Sequence, residues 1–208
     1  QSTPVFSLRG LIINVKKGPW ADVRVRKAAF LAVDKAEHGK VLMRGDEVVG
    51  GFMPPASGWE VPWTELKDRP GFRKPTPEDI AQAKKLLAEA GFPDGFKTNI
   101  MTRGTKEYQD DSVAAKFELA KIGIDANLEI VESTAFLNRR EAREFEFMSY
   151  GVVSVEAGDP DLVLSRFLSD SPANYGNYKS PKFDEVYDKQ TQAGDAAEYE
   201  EGVHSVYV

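Results

Sequence analysis

Between residues 77 and 152 the apolar residues switch repeatedly between helical spacing and strand alternation, and no other feature limits the possible folds as strongly. Pro77-Glu78 opens a run with Ile80, Ala83, Leu87 and Ala90 on one helical face, and Gly91 stands where a helix commonly ends in a left-handed residue. Lys97 to Thr102 reads as a strand. Tyr108, Ala115, Leu119 and Ile122 mark a second long helix, after which Ile124, Ala126, Leu128 and Ile130 alternate with Asp125, Asn127 and Glu129 as a strand with one buried face. Ser133 is expected to cap a third helix reaching about Arg143, and Phe145 to Val152 supplies a third strand. Strand, helix, strand, helix, strand with right-handed crossovers predicts an α/β fold: a mostly parallel central sheet with flanking helices.

The flanking segments are read in the same way. Leu8 to Val15 has the character of a strand. Behind Asp22, a plausible N-cap, Val25, Ala28, Ala29, Ala32 and Ala36 recur at helical spacing and predict a helix over about residues 22 to 37. Asp22, Arg24, Arg26 and Asp34 are expected to serve it as cap and ion-pair residues. From Arg44 through Pro77 glycines and prolines are too frequent for long regular elements, which suggests a surface excursion. Asp159-Pro160 favours a turn, with Asp161 capping a helix over Leu162 to Leu168, and a last helix is expected near Pro181 to Gln192.

Composition excludes several kinds of chemistry. A chain of 208 residues is long enough for one well-cored domain or two small ones, and 41% apolar content is ordinary for a folded protein. Its formal charge of −6, with no long basic cluster, disfavours a nucleic-acid surface and suits a cationic or zwitterionic small ligand. Zero cysteines rule out disulfides and thiolate chemistry, and no apolar run approaches the roughly 18 residues of a membrane span. His38 and His204 are isolated, so neither a metal site nor a histidine-based triad is expected. The glycines at Gly45 and Gly50-Gly51 do not lead into a phosphate loop, and adjacent acids such as Asp110-Asp111 ordinarily face water. No cofactor and no catalysed reaction follow from these residues.

In an open α/β sheet a ligand sits beyond the carboxyl ends of the strands. Two such ends are polar here: Thr102-Arg103-Gly104-Thr105 after the first strand of the unit, and Ser154, Glu156 and Asp159 after the last. A guanidinium can pair bidentately with a carboxylate, and an anionic side chain can accept from an ammonium, so a zwitterion would satisfy both ends.

Several ordered motifs carry a family resemblance. Asn14-Val15-Lys16-Lys17 is followed by Trp20-Ala21-Asp22-Val23-Arg24-Val25-Arg26-Lys27-Ala28 and Ala32-Val33-Asp34-Lys35. Then come Ala83-Lys84-Lys85-Leu86-Leu87-Ala88-Glu89-Ala90-Gly91-Phe92, Gly95-Phe96 and Leu119-Ala120-Lys121-Ile122-Gly123-Ile124. The series ends with Gly151 to Asp161, Arg166 to Ser171, Asn174-Tyr175-Gly176-Asn177-Tyr178, Ser180-Pro181 and Phe183-Asp184. In this order they resemble the C-terminal lobe of the family 5 extracytoplasmic solute-binding proteins, the peptide and dipeptide receptors of bacterial ABC importers.

The resemblance implies that residues 1–208 form a single α/β lobe of the type II periplasmic-binding-protein kind, which closes on a hinge against an N-terminal lobe and delivers a short peptide or similar small solute to a membrane permease. It implies a location outside the cytoplasmic membrane and leaves lipid anchoring open. Both chain ends read as abrupt, so the chain is expected to belong to a longer receptor. By this resemblance Arg103 would grip a peptide carboxylate and Glu156 a peptide ammonium, with Thr102 and Ser154 beside them. Asn174, Tyr175 and Trp59 would belong to the cleft wall, Trp59 together with Met53 or Trp63. The acid is Glu where the family usually has Asp, the stretch from Gly151 to Glu156 is one residue longer, and Val152 replaces a tryptophan. Family members take peptides, opines, sugars and metal chelates, so the solute stays open. A non-transport signalling or chaperone-like binding domain of the same fold remains as an alternative, and a hydrolase using Glu156 and Asp159 is a more distant one.

Overall fold

The computed structural model describes residues 6–35, 37, 53, 59–155 and 160–192, with residues 6–9 and 151–155 described as backbone. Four strands form one sheet in the order β1-β4-β2-β3, where β1 is Phe6–Ile13, β2 Phe96–Arg103, β3 Ile124–Val131 and β4 Phe147–Val155. Strand β2 runs parallel to both β3 and β4, as the alternation predicts, while β1 is antiparallel to β4. The helices are α1 (Val23–Ala32), α2 (Trp63–Leu66), α3 (Pro77–Glu89), α4 (Lys106–Ala120), α5 (Ser133–Glu141), α6 (Asp161–Leu164) and α7 (Pro181–Thr191). None of the described helices is long and apolar enough to cross a membrane.

Period-two alternation sends neighbouring strand residues to opposite faces, and both faces are covered. Ile100, Ile124, Ala126 and Phe147 join Trp20, the alanines of α1, Ala83 and Leu87 of α3, and Ala115 and Leu119 of α4 in the main core. On the other face Met101 and Met148 pack with Phe136 of α5 and with Phe145. A third, smaller cluster joins Met53, Val163 and Leu164, with Trp59, Phe167, Phe183 and Tyr187 around it.

Several boundaries differ from those the sequence predicts, each for a specific reason. Strand β4 starts at Phe147 and runs to Val155, because β1 pairs with it from Ile13↔Phe147 to Phe6↔Val155. Helix α1 has its Asp22 cap but stops at Ala32, not near residue 37. There the Asp34 backbone N–H donates to Glu118 Oε1 across the core at 3.0 Å, and the Asp34 carboxylate accepts from Glu37 N. Asp34 thus starts a new turn and is no part of the first helix. Helix α5 is capped by Glu132, whose carboxylate accepts from Thr134 N and Ala135 N; Ser133 is its first residue. Asp161 does not cap: it is the first residue of the short α6 and accepts from Gln190 Nε2, and a 3-10 turn over Ser165–Phe167 replaces the rest of the expected helix.

Candidate ligand-binding site

Because β2, β3 and β4 are parallel, their carboxyl ends share one edge of the sheet, where α/β folds present ligands. Thr102 and Arg103, the last two residues of β2, point to opposite faces. Thr102 is fully buried, and its hydroxyl donates to Tyr108 O at 2.9 Å. The Ser112 hydroxyl donates to the same carbonyl at 2.8 Å, so both bonds tie the first turn of α4 to the strand.

Arg103 faces the α5 side. Its guanidinium carbon lies 5.2 Å from the Tyr108 ring centroid and 4.9 Å from that of Phe136, within cation–π range of both. The two rings are 6.4 Å apart and inclined at 69°. Phe136 is 1% exposed and packs in the Met101, Phe145 and Met148 cluster. Arg103 Nε is buried without an acceptor. The nearby arginines are all engaged: Arg139 by Glu129, Arg140 by Glu141, and Arg143 by the Asn174 and Pro172 carbonyls. Alongside runs an open groove of about 330 Å³ lined by Gly104, Thr105, Ile130, Val131, Glu132 and Ser133. The Ala135 and Thr134 backbone N–H groups hold the Glu132 carboxyl below the usual range, so this wall is anionic.

The other expected residues are placed as follows. Asn174 is 7% exposed, and its side chain closes its own loop: the amide donates to Leu168 O and Tyr178 O, and Oδ1 accepts from Tyr178 N. The Tyr175 ring packs against Tyr150 and the Met101 cluster on the face that holds Arg103, under the Arg140 guanidinium. Its hydroxyl donates to Glu141 at 3.2 Å, and burial pushes its acidity down and its pKa up. Trp59 and Met53 pack into the small separate cluster, whereas Trp63 is 42% exposed. Ser154 lies in β4, and its side chain, like Glu156 and Asp159, is outside the described residues. Register pairs Ile100 with Phe147, so counting three on from each sets Arg103 level with Tyr150; β4 then runs five residues further toward the same edge. Among the described residues no group of three or more acidic or histidine side chains could hold a metal ion.

The family described as bacterial extracellular solute-binding proteins, family 5 Middle, matches residues 1–175. The chain belongs to this family. It is 33% identical over 178 residues to the periplasmic oligopeptide-binding protein OppA of Salmonella typhimurium, covering 84% of this chain and 32% of OppA. Heme-binding protein A of Haemophilus influenzae is 30% identical over 178 residues, which is 83% of this chain and 30% of that protein. Among solved structures, the DppA of Helicobacter pylori in complex with peptide STSA superposes with a TM-score of 0.78 at 29% identity, covering 96% of this chain and 38% of DppA. The chain spans about a third of the length of the curated relatives it matches. The expected family and the α/β periplasmic-binding-protein fold are therefore both found.

Within this family 5 chain, sequence reading selected Arg103 but missed Tyr108 and Phe136 beside it. A signal existed: Phe136 is the one aromatic in α5, and Tyr108 sits in the first turn of the helix that follows Arg103.

Proposed function

We propose that this chain is one lobe of a two-lobed receptor, the substrate-binding component of an ABC importer, and that it captures a short peptide or similar small solute outside the cytoplasmic membrane. Membership of the family and the peptide-binding relatives support this reading. The observation that carries it is Arg103, a guanidinium at the ligand edge of the sheet with no carboxylate partner among the described residues. A planar fork with free donors in a partly apolar setting suits a carboxylate. Glu156, on the chain continuing from β4, would hold the ammonium of the same ligand. Closure of a second lobe would bury the ligand from the other side, and the closed receptor would engage a membrane permease. No covalent chemistry is needed.

Thermal shift of the intact receptor tests the reading against a library of short peptides, sugars and tetrapyrroles, the last because a heme-binding protein is among the relatives. Free-carboxylate peptides should raise the melting temperature in a concentration-dependent way, about 2.7 kcal/mol at a hundredfold excess over Kd. Shifts confined to solutes without a carboxylate would overturn it. For Glu156, replacement by Gln should weaken free-amine peptides by about 1.5–3 kcal/mol and leave N-acetylated ones nearly unchanged. Equal losses for both would remove Glu156 from the site.

A further inference from the structure

We infer that Tyr108 and Phe136 are positioning residues that orient Arg103 so that a carboxylate can meet only the outer, Nη1–Nη2 edge of its guanidinium. The inference rests on the reading of Arg103 as a carboxylate-binding group. A free arginine side chain samples many rotamers, and holding one orientation before the ligand arrives removes part of the ordering cost of binding. Here two rings lie within 5.2 Å of the guanidinium carbon, and both are fixed to the scaffold. Phe136 is 1% exposed in a core cluster drawn from β2, β4 and α5. Tyr108 is held through its backbone by the hydroxyls of Thr102 and Ser112, and Thr102 is the residue before Arg103 on the strand.

The direction of approach follows from Arg103 Nε. That donor is buried without an acceptor, so a carboxylate cannot use the side-on pairing through Nε and one Nη. Both Nη groups lack partners among the described residues and are not among the buried orphan atoms, which leaves the end-on fork as the accessible one. Among the described residues no neighbouring acid competes. Glu129 is paired with Arg139, and Glu132, beside the groove, is committed to the backbone N–H groups of Thr134 and Ala135. An end-on fork of this kind selects a terminal carboxylate over its amide, because the amide offers one acceptor and adds a donor facing a donor.

The test uses the receptor carrying this chain, with tri-alanine and tri-alanine amide as probes in calorimetry, and Arg103→Ala, Phe136→Leu and Tyr108→Leu variants. In wild type tri-alanine should bind more tightly than its amide. Arg103→Ala should weaken tri-alanine by about ten- to a hundredfold and the amide by less than about twofold. Phe136→Leu and Tyr108→Leu should each weaken tri-alanine by roughly fivefold, with the same disregard for the amide, and should add nothing to Arg103→Ala. A second readout needs no ligand: the Arg103 Hε resonance, assigned by its loss in Arg103→Lys, should exchange slowly with water in wild type and quickly in Phe136→Leu. No binding of tri-alanine, or an Arg103→Ala that treats both probes alike, would refute the carboxylate reading of the site. Slow Hε exchange and unchanged affinity in both aromatic variants, with Arg103→Ala still discriminating, would refute the positioning role alone.

Discussion

Thr98→Val should destabilise the chain by about 2–3 kcal/mol although it barely changes the shape of the core. Trp20 is fully buried, and its indole N–H donates to Thr98 Oγ1 at 2.8 Å. The same hydroxyl donates to Glu146 Oε2 at 2.9 Å. Valine keeps the ring contacts of Trp20, at 5.5 Å to Phe96 and 5.2 Å to Phe147, but leaves the indole donor buried and unpaired. That orphan costs about 1–3 kcal/mol. Loss of the Glu146 bond adds less, since Glu146 is half-buried and still accepts from Asn99 N at 3.1 Å. For a chain of this size the sum corresponds to a fall of roughly 5–10 °C in Tm. Urea unfolding followed by far-ultraviolet circular dichroism measures it, and Trp20→Phe with the double variant completes a cycle. Because phenylalanine removes the stranded donor, the double variant should be less destabilised than the two single losses added together, by about 1 kcal/mol or more. A Thr98→Val loss below about 0.5 kcal/mol, or strict additivity, would refute the view that this bond holds Trp20 in place.

Two further outcomes follow from backbone and charge. Gly95 has φ +79°, and a Cβ there would sit 1.8 Å from the Gly123 carbonyl oxygen, whereas Gly91, at φ +92°, has nothing within 4 Å. Gly91→Ala should therefore cost only the left-handed penalty of about 1–2 kcal/mol, and Gly95→Ala clearly more; equal losses in denaturant titrations would contradict the close approach. Lys35 Nζ lies 3.9 Å from the Phe72 ring centroid and 4.8 Å from that of Phe30, and burial lowers its pKa from 10.5 to about 8. Between pH 8 and 10.5 the unfolded chain then binds more protons at this residue than the folded one, so its contribution to stability rises with pH across that window. Lys35→Met should flatten the wild-type rise there, and an identical pH profile in both proteins would show that the amine is not desolvated.

Features set by near neighbours in sequence were legible, and those set across the fold were not. Helix α3 is legible almost to the residue, because its Pro77 start, its apolar face and the left-handed Gly91 all lie within it or next to it. The end of α1 was misread because it depends on a bond from Asp34 to Glu118, 84 residues away. The carboxyl extension of β4 was misread because β1 supplies it from the far end of the chain. At the site the same division applies with one instructive exception. The strand-end position of Arg103 is legible in the sequence, while Phe136 reaches it only through the packing of α5 on the sheet. Thr102, however, was decidable from the sequence: it has the same parity as Ile100, a core residue, and Arg103 has the parity of Met101 on the other face. Adjacent residues of one strand turn to opposite faces, so Thr102 points away from the face that holds Arg103. Its hydroxyl bonds the carbonyl of the residue whose ring lies against the arginine.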